Sequence, residues 1–256
     1  MSTTKTVNVT TGKVLHYTIT KSGYKPVSGS KLITGSETIN VNMVPESSSD
    51  GVYTFGDRIG GCATFFQYFD SINPTTNVAQ KYACFILDAA YRRYGSTPWG
   101  PNDASFYADL PVYGYGHAED TTESATYVTN YVYDNVTPSA SSYQLFYYAR
   151  NPGGNSLIIN VNGVNYVPQV PNIRQLMTIS SYYSQLDALD PTAAANPYTN
   201  LTNIMASSSD NRNRAWSSTA FSTGYAWSQG GYNGTNYEGK AYDTFTCVPI
   251  FEIPVN

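Results

Sequence analysis

Ala215-Trp216-Ser217-Ser218-Thr219, followed by Tyr225-Ala226-Trp227 and a Gly/Asn/Tyr-rich run from Gln229 to Tyr242, is the stretch on which the fold turns. Two tryptophans at this spacing are core anchors, each carrying a large apolar area and one polar N–H. Ser217 and Ser218 between them are short hydroxyls suited to bonding the backbone of neighbouring loops. Upstream, Pro171-Asn172-Ile173-Arg174-Gln175-Leu176 opens a helix, since proline suits a first helical turn. Ile173, Leu176, Met177, Ser180, Tyr183 and Leu186 then fall on one 3.6-residue stripe. Downstream, Thr246-Cys247-Val248-Pro249-Ile250 closes the chain on an apolar strand.

Working towards the N-terminus, Asn162-Gly163 joins two short β runs as a tight hairpin, Val164 to Val167 answering Ser156 to Val161. Tyr143 to Tyr148 is aromatic enough to be a third strand of that meander. Thr121-Thr122-Glu123 begins a second helix to about Tyr133, with Ala125, Val128 and Val132 on one face and acid in the first turn. Gly60 to Phe66 and Tyr82 to Leu87 are apolar β runs, and Asp190 to Ser209 reads as a long polar loop. Pro45 to Gly51 is small, polar and turn-forming, which sets a linker over 46–51. Before it, residues 4–45 alternate as strands: Val7 and Val9; Leu15, Tyr17 and Ile19; Ile39, Val41 and Met43. These observations give an α+β chain in two parts, a small β-sandwich over 1–45 and a larger domain over 52–256 with two helices and a β-meander, which the resemblance described below makes an insertion.

Composition narrows the function. Charged residues are 12% of the chain while Tyr alone numbers 24, so the surface is built from hydroxyls, amides and phenol rings. Tyr, Ser, Gly and Asn are the residues of binding loops, because a Tyr ring offers amphipathic area at low entropic cost. The Tyr residues after Tyr225 are the stronger binding candidates, whereas those between Tyr107 and Tyr183 serve the sheets and core. A net charge of −4 without a Lys/Arg cluster leaves no electrostatic footprint for nucleic acid. No run of 18 apolar residues provides for membrane insertion. Met1 to Asn8 is polar with no apolar segment after it, which reads as a chain without an export signal. Cys62, Cys84 and Cys247 form no metal pattern, and their apolar contexts mark them as buried free thiols.

Pro171-Asn172-Ile173-x-x-Leu176, Trp216-Ser217-Ser218-Thr219, Ala226-Trp227 and Val248-Pro249-Ile250 stand in an order that resembles the C-type lectin fold of phage and gut-bacterial surface proteins. The run from Tyr82 to Ala90 and Pro98-Trp99-Gly100 resemble the opening strands of the same family. Tyr17 to Tyr24, with Ser36 to Val44, is similar to short immunoglobulin-like or PEGA-type modules, which recur in phage tail and capsid-decorating proteins. The resemblance implies a virion surface protein (fibre, tail tip or capsid decoration) whose lectin-like domain binds a host surface glycan or protein. Its N-terminal module would grip other virion proteins, and a homo-oligomer would supply avidity. The implied ligand-binding residues are Asn211, Asn213, Tyr225, Ser228, Gln229, Tyr232, Asn233, Asn236 and Tyr237. All of these but Gln229, together with Ser222 and Tyr242, are residue types that adenine-directed retroelement diversification yields in such domains.

The readings from other classes are a purely structural virion assembly protein and a bacterial surface adhesin. Catalysis has little to stand on. The chain has only His16 and His117, its thiols are separated, and no base–nucleophile set is evident, so no enzyme activity is expected. No cofactor and no metal is expected either. The carboxylate-Pro-Asn and Trp-Asn-Asp elements of calcium-dependent sugar readers are missing, and Asp210, Glu238 and Asp243 are scattered. Asp187 and Asp190 read as solvated charges at a helix end.

Overall fold

The structure is a computed structural model and describes residues 10–21, 24–36, 53–73, 78–101, 118, 121–206, 213–230, 234–241 and 243–255. The chain divides into two compact units, Met1–Asp50 and Gly51–Asn256. In the first, β1 (Val14–Lys21) pairs antiparallel with β2 (Tyr24–Leu32). The alternating Leu15, Tyr17 and Ile19 lie on β1, whereas Val7, Val9, Ile39, Val41 and Met43 lie outside the described residues.

The second unit is mixed α+β. Its first strands, β3 (Arg58–Ile59), β4 (Ala63–Asn73) and β5 (Val78–Leu87), form an antiparallel run, and β6 (Arg93–Thr97) follows. The helix expected from Thr121 is α1 (Ala125–Asn135), which buries Ala125, Val128, Thr129 and Val132 and is capped by the Ser124 hydroxyl on the Tyr127 N–H at 3.0 Å. Its first turn holds no acidic residue, because Glu123 precedes the cap.

The segment expected as a strand from Tyr143 is instead α2 (Gln144–Arg150). Its aromatic residues favour strands locally. Leu145, Phe146 and Ala149, however, share a helical face and are buried together, and tertiary packing overrides the propensity. The meander is therefore a two-stranded hairpin, β7 (Ile159–Val161) and β8 (Val164–Tyr166). Asn162 and Gly163 both take positive φ there, 52° and 84°, as a two-residue hairpin turn requires.

The expected 171–186 helix divides at Tyr182 into α3 (Ile173–Ser181) and α4 (Tyr183–Leu189). Pro171 sits outside the first turn, and Asn172 is the cap. Asn172 Oδ1 accepts from the Gln175 N–H at 2.9 Å, and Gln175 Oε1 accepts from the Asn172 N–H at 2.8 Å. The polar region after Asp190 is not one loop, since it holds α5 (Leu201–Ala206), which buries Leu201, Ile204 and Met205. Asp187 and Asp190 are correspondingly not solvated. Asp187 caps α5 by accepting from the Leu201 and Thr202 N–H groups at 2.8 and 2.6 Å. Asp190 is buried against Arg92 at 3.2 Å and accepts from the Ala89 N–H at 2.6 Å. An isolated pair at that depth would lose as much to desolvation as it gains, and these added hydrogen bonds tip the balance.

The last strands are β9 (Arg214–Ala220), β10 (Tyr225–Gly230), β11 (Gly234–Gly239), β12 (Phe245–Cys247) and β13 (Ile250–Val255). They complete a four-stranded sheet, β13-β5-β4-β3, and a five-stranded sheet, β11-β10-β9-β12-β6, antiparallel except where β12 runs parallel to β9. In β5 the alternation sends Cys84 and Ile86 into a core shared with α3 and α5 and with Ala215 and Trp227 of the other sheet. Ala83, Phe85 and Leu87 enter a second core under the β7–β8 hairpin. A third core lies between the outer face of the five-stranded sheet and α1 and α2. There two fully buried tryptophans exchange bonds, Trp99 Nε1 donating to the Ser217 carbonyl at 2.7 Å and Trp216 Nε1 to the Thr97 carbonyl at 2.8 Å. Ser217 and Ser218 bond backbone as the sequence suggests, to the Trp227 and Pro171 carbonyls at 2.8 and 3.3 Å. All three cysteines are free and buried. Among the described residues no helix is long and apolar enough to cross a membrane.

The carboxylate missing from the first turn of α1 comes from the far end of the chain. Glu252 of β13 accepts from the Ala125 and Thr126 N–H groups at 2.9 and 2.7 Å and from Gln175 Nε2 at 2.5 Å. Burial pushes its carboxyl above the ordinary 4.5, outweighing the donors that pull the other way. Ionisation therefore costs more in the folded than in the unfolded chain. The group's contribution is whole below about pH 4.5 and declines as pH rises through the folded value. Glu252→Gln puts an amide N–H₂ against backbone donors and should be less stable than wild type in acid. In paired urea melts the gap should narrow from about pH 4 to about pH 8, and parallel curves would contradict the raised carboxyl.

Candidate functional site

Side chains on β10 and its neighbours alternate between two faces. Tyr225, Trp227 and Gln229 share one face with their β11 partners Gly239, Tyr237 and Thr235, while Ala226 and Ser228 share the other with Glu238 and Asn236. On the first face Phe221, just past β9, lies flat on Tyr237, with centroids 3.9 Å apart and planes 9° apart. Trp227 meets both rings edge-on at 5.4 and 6.0 Å, and Tyr225 meets Phe221 and Tyr237 edge-on at 6.5 and 6.0 Å. Each such pair adds about 0.5–1.5 kcal/mol beyond area burial. The four rings form a terrace. Trp227 is buried at its foot in the core beneath α3 and α5, and Phe221 and Tyr237 are half-buried. Tyr225, which faces a glycine across the strand pair, is 47% exposed at the top.

The turn carrying Phe221 and Tyr225 is held from beneath by Lys240. Its fully buried Nζ donates to the Ser222 and Thr223 carbonyls at 2.9 and 3.3 Å and lies 4.5 Å from the Trp99 ring centre. Burial lowers its pKa from 10.5 to about 7. The Lys240 N–H donates to the Gly224 carbonyl at 3.0 Å, and the Phe221 and Ser222 N–H groups both donate to the Tyr225 carbonyl. These bonds fix the two outer rings relative to the sheet.

On the opposite face Arg214 is buried. Its Nε donates to Ser228 Oγ at 3.0 Å and its Nη2 to the Gly234 carbonyl at 3.1 Å, with Phe245 5.7 Å away. Burial lowers the guanidinium pKa and raises that of Glu238, which Asn236 Nδ2 contacts at 2.9 Å. Asp243 accepts from the Gly239 N–H at 2.8 Å. Among the described residues no three His, Cys, Asp or Glu side chains converge as a metal cluster. Burial raises the Cys62, Cys84 and Cys247 thiols, so the reactive thiolate is disfavoured at each.

The sequence-derived binding residues thus separate. Tyr225 and Tyr237 meet in the terrace. Ser228 is fully buried, accepting from Arg214 and donating to the Asn236 carbonyl at 3.3 Å. Gln229 is buried with Nε2 on Ser180 Oγ at 3.2 Å and Oε1 accepting from Thr235 Oγ1 at 2.6 Å. Both are framework, a correction to their expected place on a ligand-facing surface, because polar residue type does not reveal which face of a strand is covered. Asn236 is half-buried beside Glu238. Asn213 is buried at the other end of β10 from Tyr225, roughly 17 Å along the strand. Asn211, Tyr232 and Asn233 lie outside the described residues, as do Asp210, Tyr242 and His117. The run from Gln229 to Tyr242 is in part an edge strand, β11, rather than a loop. Sequence reasoning missed Phe221 and Lys240. The available signals were an aromatic directly after Trp216-Ser217-Ser218-Thr219-Ala220 and a lone lysine between Gly239 and Ala241.

Gly230 of β10 stands opposite Arg214 of β9. A Cβ there would lie 2.4 Å from the Asn213 carbonyl oxygen and 2.9 Å from Arg214 Cα. Gly230→Ala should therefore destabilise the protein by about 1–3 kcal/mol, read as a lowered denaturant midpoint. An unchanged midpoint would show that the strands part without cost.

The chain matches no protein-family model, no curated protein and no solved structure.

Proposed function

We propose that this chain is a recognition protein of a virion exterior, with the second unit as a C-type lectin-like domain that binds a host surface glycan or protein. The first unit is an immunoglobulin-like or PEGA-type module gripping other virion proteins. The observation that carries this reading is the aromatic terrace. An exposed Tyr225 edges onto stacked Phe221 and Tyr237 over a buried Trp227, on a turn fixed by Lys240. Rings fixed before binding lose little entropy on contact, which makes such a surface efficient for stacking against sugar faces or peptide planes. Binding, rather than catalysis, suits the same surroundings: thiols raised by burial, and Asp187 and Asp190 spent on helix capping and an ion pair. Single contacts of this kind are weak, and a homo-oligomer on a virion multiplies them.

The test uses the full chain, biotinylated and tetramerised on streptavidin, against a glycan array and bacterial cell envelopes. Saturable binding is expected, weakened about tenfold by Tyr225→Ala. Because Tyr225 is half exposed, the variant should lose no more than about 1 kcal/mol of stability. Saturable binding indifferent to Tyr225→Ala would remove the terrace from the reading. Absence of binding to every surface would leave the chain an assembly protein.

A further inference from the structure

On the open edge of the five-stranded sheet the geometry points to a docking site for an extended peptide, which adds antiparallel to β11 as a further strand and sets a basic side chain opposite Glu238. This deepens the recognition reading and rests on it, since it names the class of protein segment that the second unit binds. β11 is an outermost strand, and among the described residues it pairs on one side only. Its ladder to β10 runs for 6 residues without a bulge, and Gly-Thr-Asn-Tyr-Glu-Gly holds no proline and no lysine. Proline, lysine and bulges are the usual devices that keep an edge strand from pairing, and β11 has none of the three.

The direction of its backbone groups follows from the bonds around β10. The Tyr225 carbonyl accepts from the Phe221 and Ser222 N–H groups, and the Trp227 carbonyl accepts from Ser217 Oγ at 2.8 Å, so both point towards β9. Their partners across the ladder, Gly239 and Tyr237, therefore turn N–H and C=O away from β10, and Thr235 does the same by alternation. Gly239 bears this out, because Asp243 takes both of its outward groups, the N–H at 2.8 Å and the carbonyl at 3.1 Å. Asp243 thus closes that end of the edge. Thr235 and Tyr237 keep an outward N–H and C=O each, and among the described residues nothing bonds them. An antiparallel strand satisfies all of these groups, exchanging both bonds at two positions roughly 7 Å apart.

The side chains of β11 set the sequence of the occupant. Residues of the added strand opposite Tyr237 and Thr235 lie on the terrace side, where an aromatic one opposite Tyr237 extends the stacked Phe221–Tyr237 pair. Those opposite Asn236 and Glu238 lie on the other side. There Glu238 is half-buried, and burial and Asp243 both raise its carboxyl while Arg214 lowers it. A lysine or arginine opposite Glu238 relieves both carboxylates. The competing occupant is β11 of a second copy, paired about a two-fold axis with Thr235 opposite Tyr237. That pairing sets Glu238 opposite a glycine and brings no cation, since β11 has none and Lys240 is buried on the Ser222 and Thr223 carbonyls. Charge complementarity therefore selects a basic peptide over a second copy.

The experiment is an amide-resolved NMR titration of the full chain with the capped peptide Lys-Phe-Thr-Val, read at the Thr235 and Tyr237 amides. Saturable shifts at both are expected, with hydrogen exchange there slowed about tenfold at saturation. Methylating the Phe and Val nitrogens of the peptide removes its bonds to the strand and should weaken binding about tenfold or more, whereas methylating the Thr nitrogen, which points away, should cost no more than about twofold. Glu in place of the peptide's Lys should weaken binding about fivefold, and Glu238→Gln should shrink that difference to about twofold. Thr235→Pro blocks one outward donor on an edge where proline is tolerated and should weaken binding about fivefold, with circular dichroism melts confirming the fold. No shift at the two amides, or equal loss on methylating any of the three nitrogens, overturns the proposal. Concentration-dependent broadening of the same amides without peptide also overturns it, by giving the edge to a second copy. Failure of the peptide alongside Tyr225-dependent binding to glycans or envelopes sinks the edge site and leaves the recognition reading. Peptide binding without binding to either surface supports the edge site and sinks that reading.

Discussion

Glu252 is the group on which the second unit is organised. It is a fully buried carboxylate, and what surrounds it is the N-terminus of α1 and the amide of Gln175. The carboxyl oxygens in that position accept from backbone N–H groups that would otherwise lack partners, each bond worth about 1 kcal/mol, although burial still disfavours the ionised form. Gln175 in turn is half of the capping box that begins α3, and Asn172, the other half, donates from Nδ2 to the Glu123 carbonyl at 2.9 Å. One side chain on the C-terminal strand thereby fixes the starts of two helices. Because β13 pairs with β5 from Ile250 to Val255, it registers both helices against the four-stranded sheet.

The five-stranded sheet depends on that arrangement. Once α3 is placed, its Ile173 N–H meets Thr219 Oγ1 at 3.0 Å, the Pro171 carbonyl takes the Ser218 N–H at 2.8 Å, and Ser180 receives Gln229. These bonds set β9 and β10 against the helix, and the reciprocal tryptophan bonds between Trp99 and Trp216 lock β6 to β9 on the other side. Gly230 lets the strands close at one end, while Lys240 holds the turn at the other. Buried polar groups of this kind do less for net stability than for uniqueness, since any alternative register leaves a charge or donor unmet.

What the sequence disclosed was local. Asn162-Gly163 dictates its hairpin because both residues tolerate positive φ. The α1 periodicity shows because its face is apolar, and Trp216 and Trp227 read as core from size alone. What it concealed was set by partners distant in the chain. Residues 144–150 carry strand-favouring aromatics, and only packing against α1 and β12 makes them helical. Leu201, Ile204 and Met205 gave a helical pattern too short to stand out from the polar residues around it. Glu252, Arg214 and Lys240 carry no local mark of burial, because their donors and acceptors come from other elements. Ser228 and Gln229 had the right residue type for a binding surface, yet both are covered, one by Arg214 and the other by α3.

The layout of β10 also bears on how a chain of low charge would bind a ligand on the proposed reading. With 12% charged residues, long-range attraction contributes little, and affinity has to come from short-range stacking and hydrogen bonds. Such contacts are strong only where the participating groups are already fixed. On that reading, Lys240, buried under the turn, is the polar anchor, and Tyr225 is the ring left exposed above it. On the proposed reading, buried charges such as Lys240 hold the rings still, and the rings are the contact surface for a ligand.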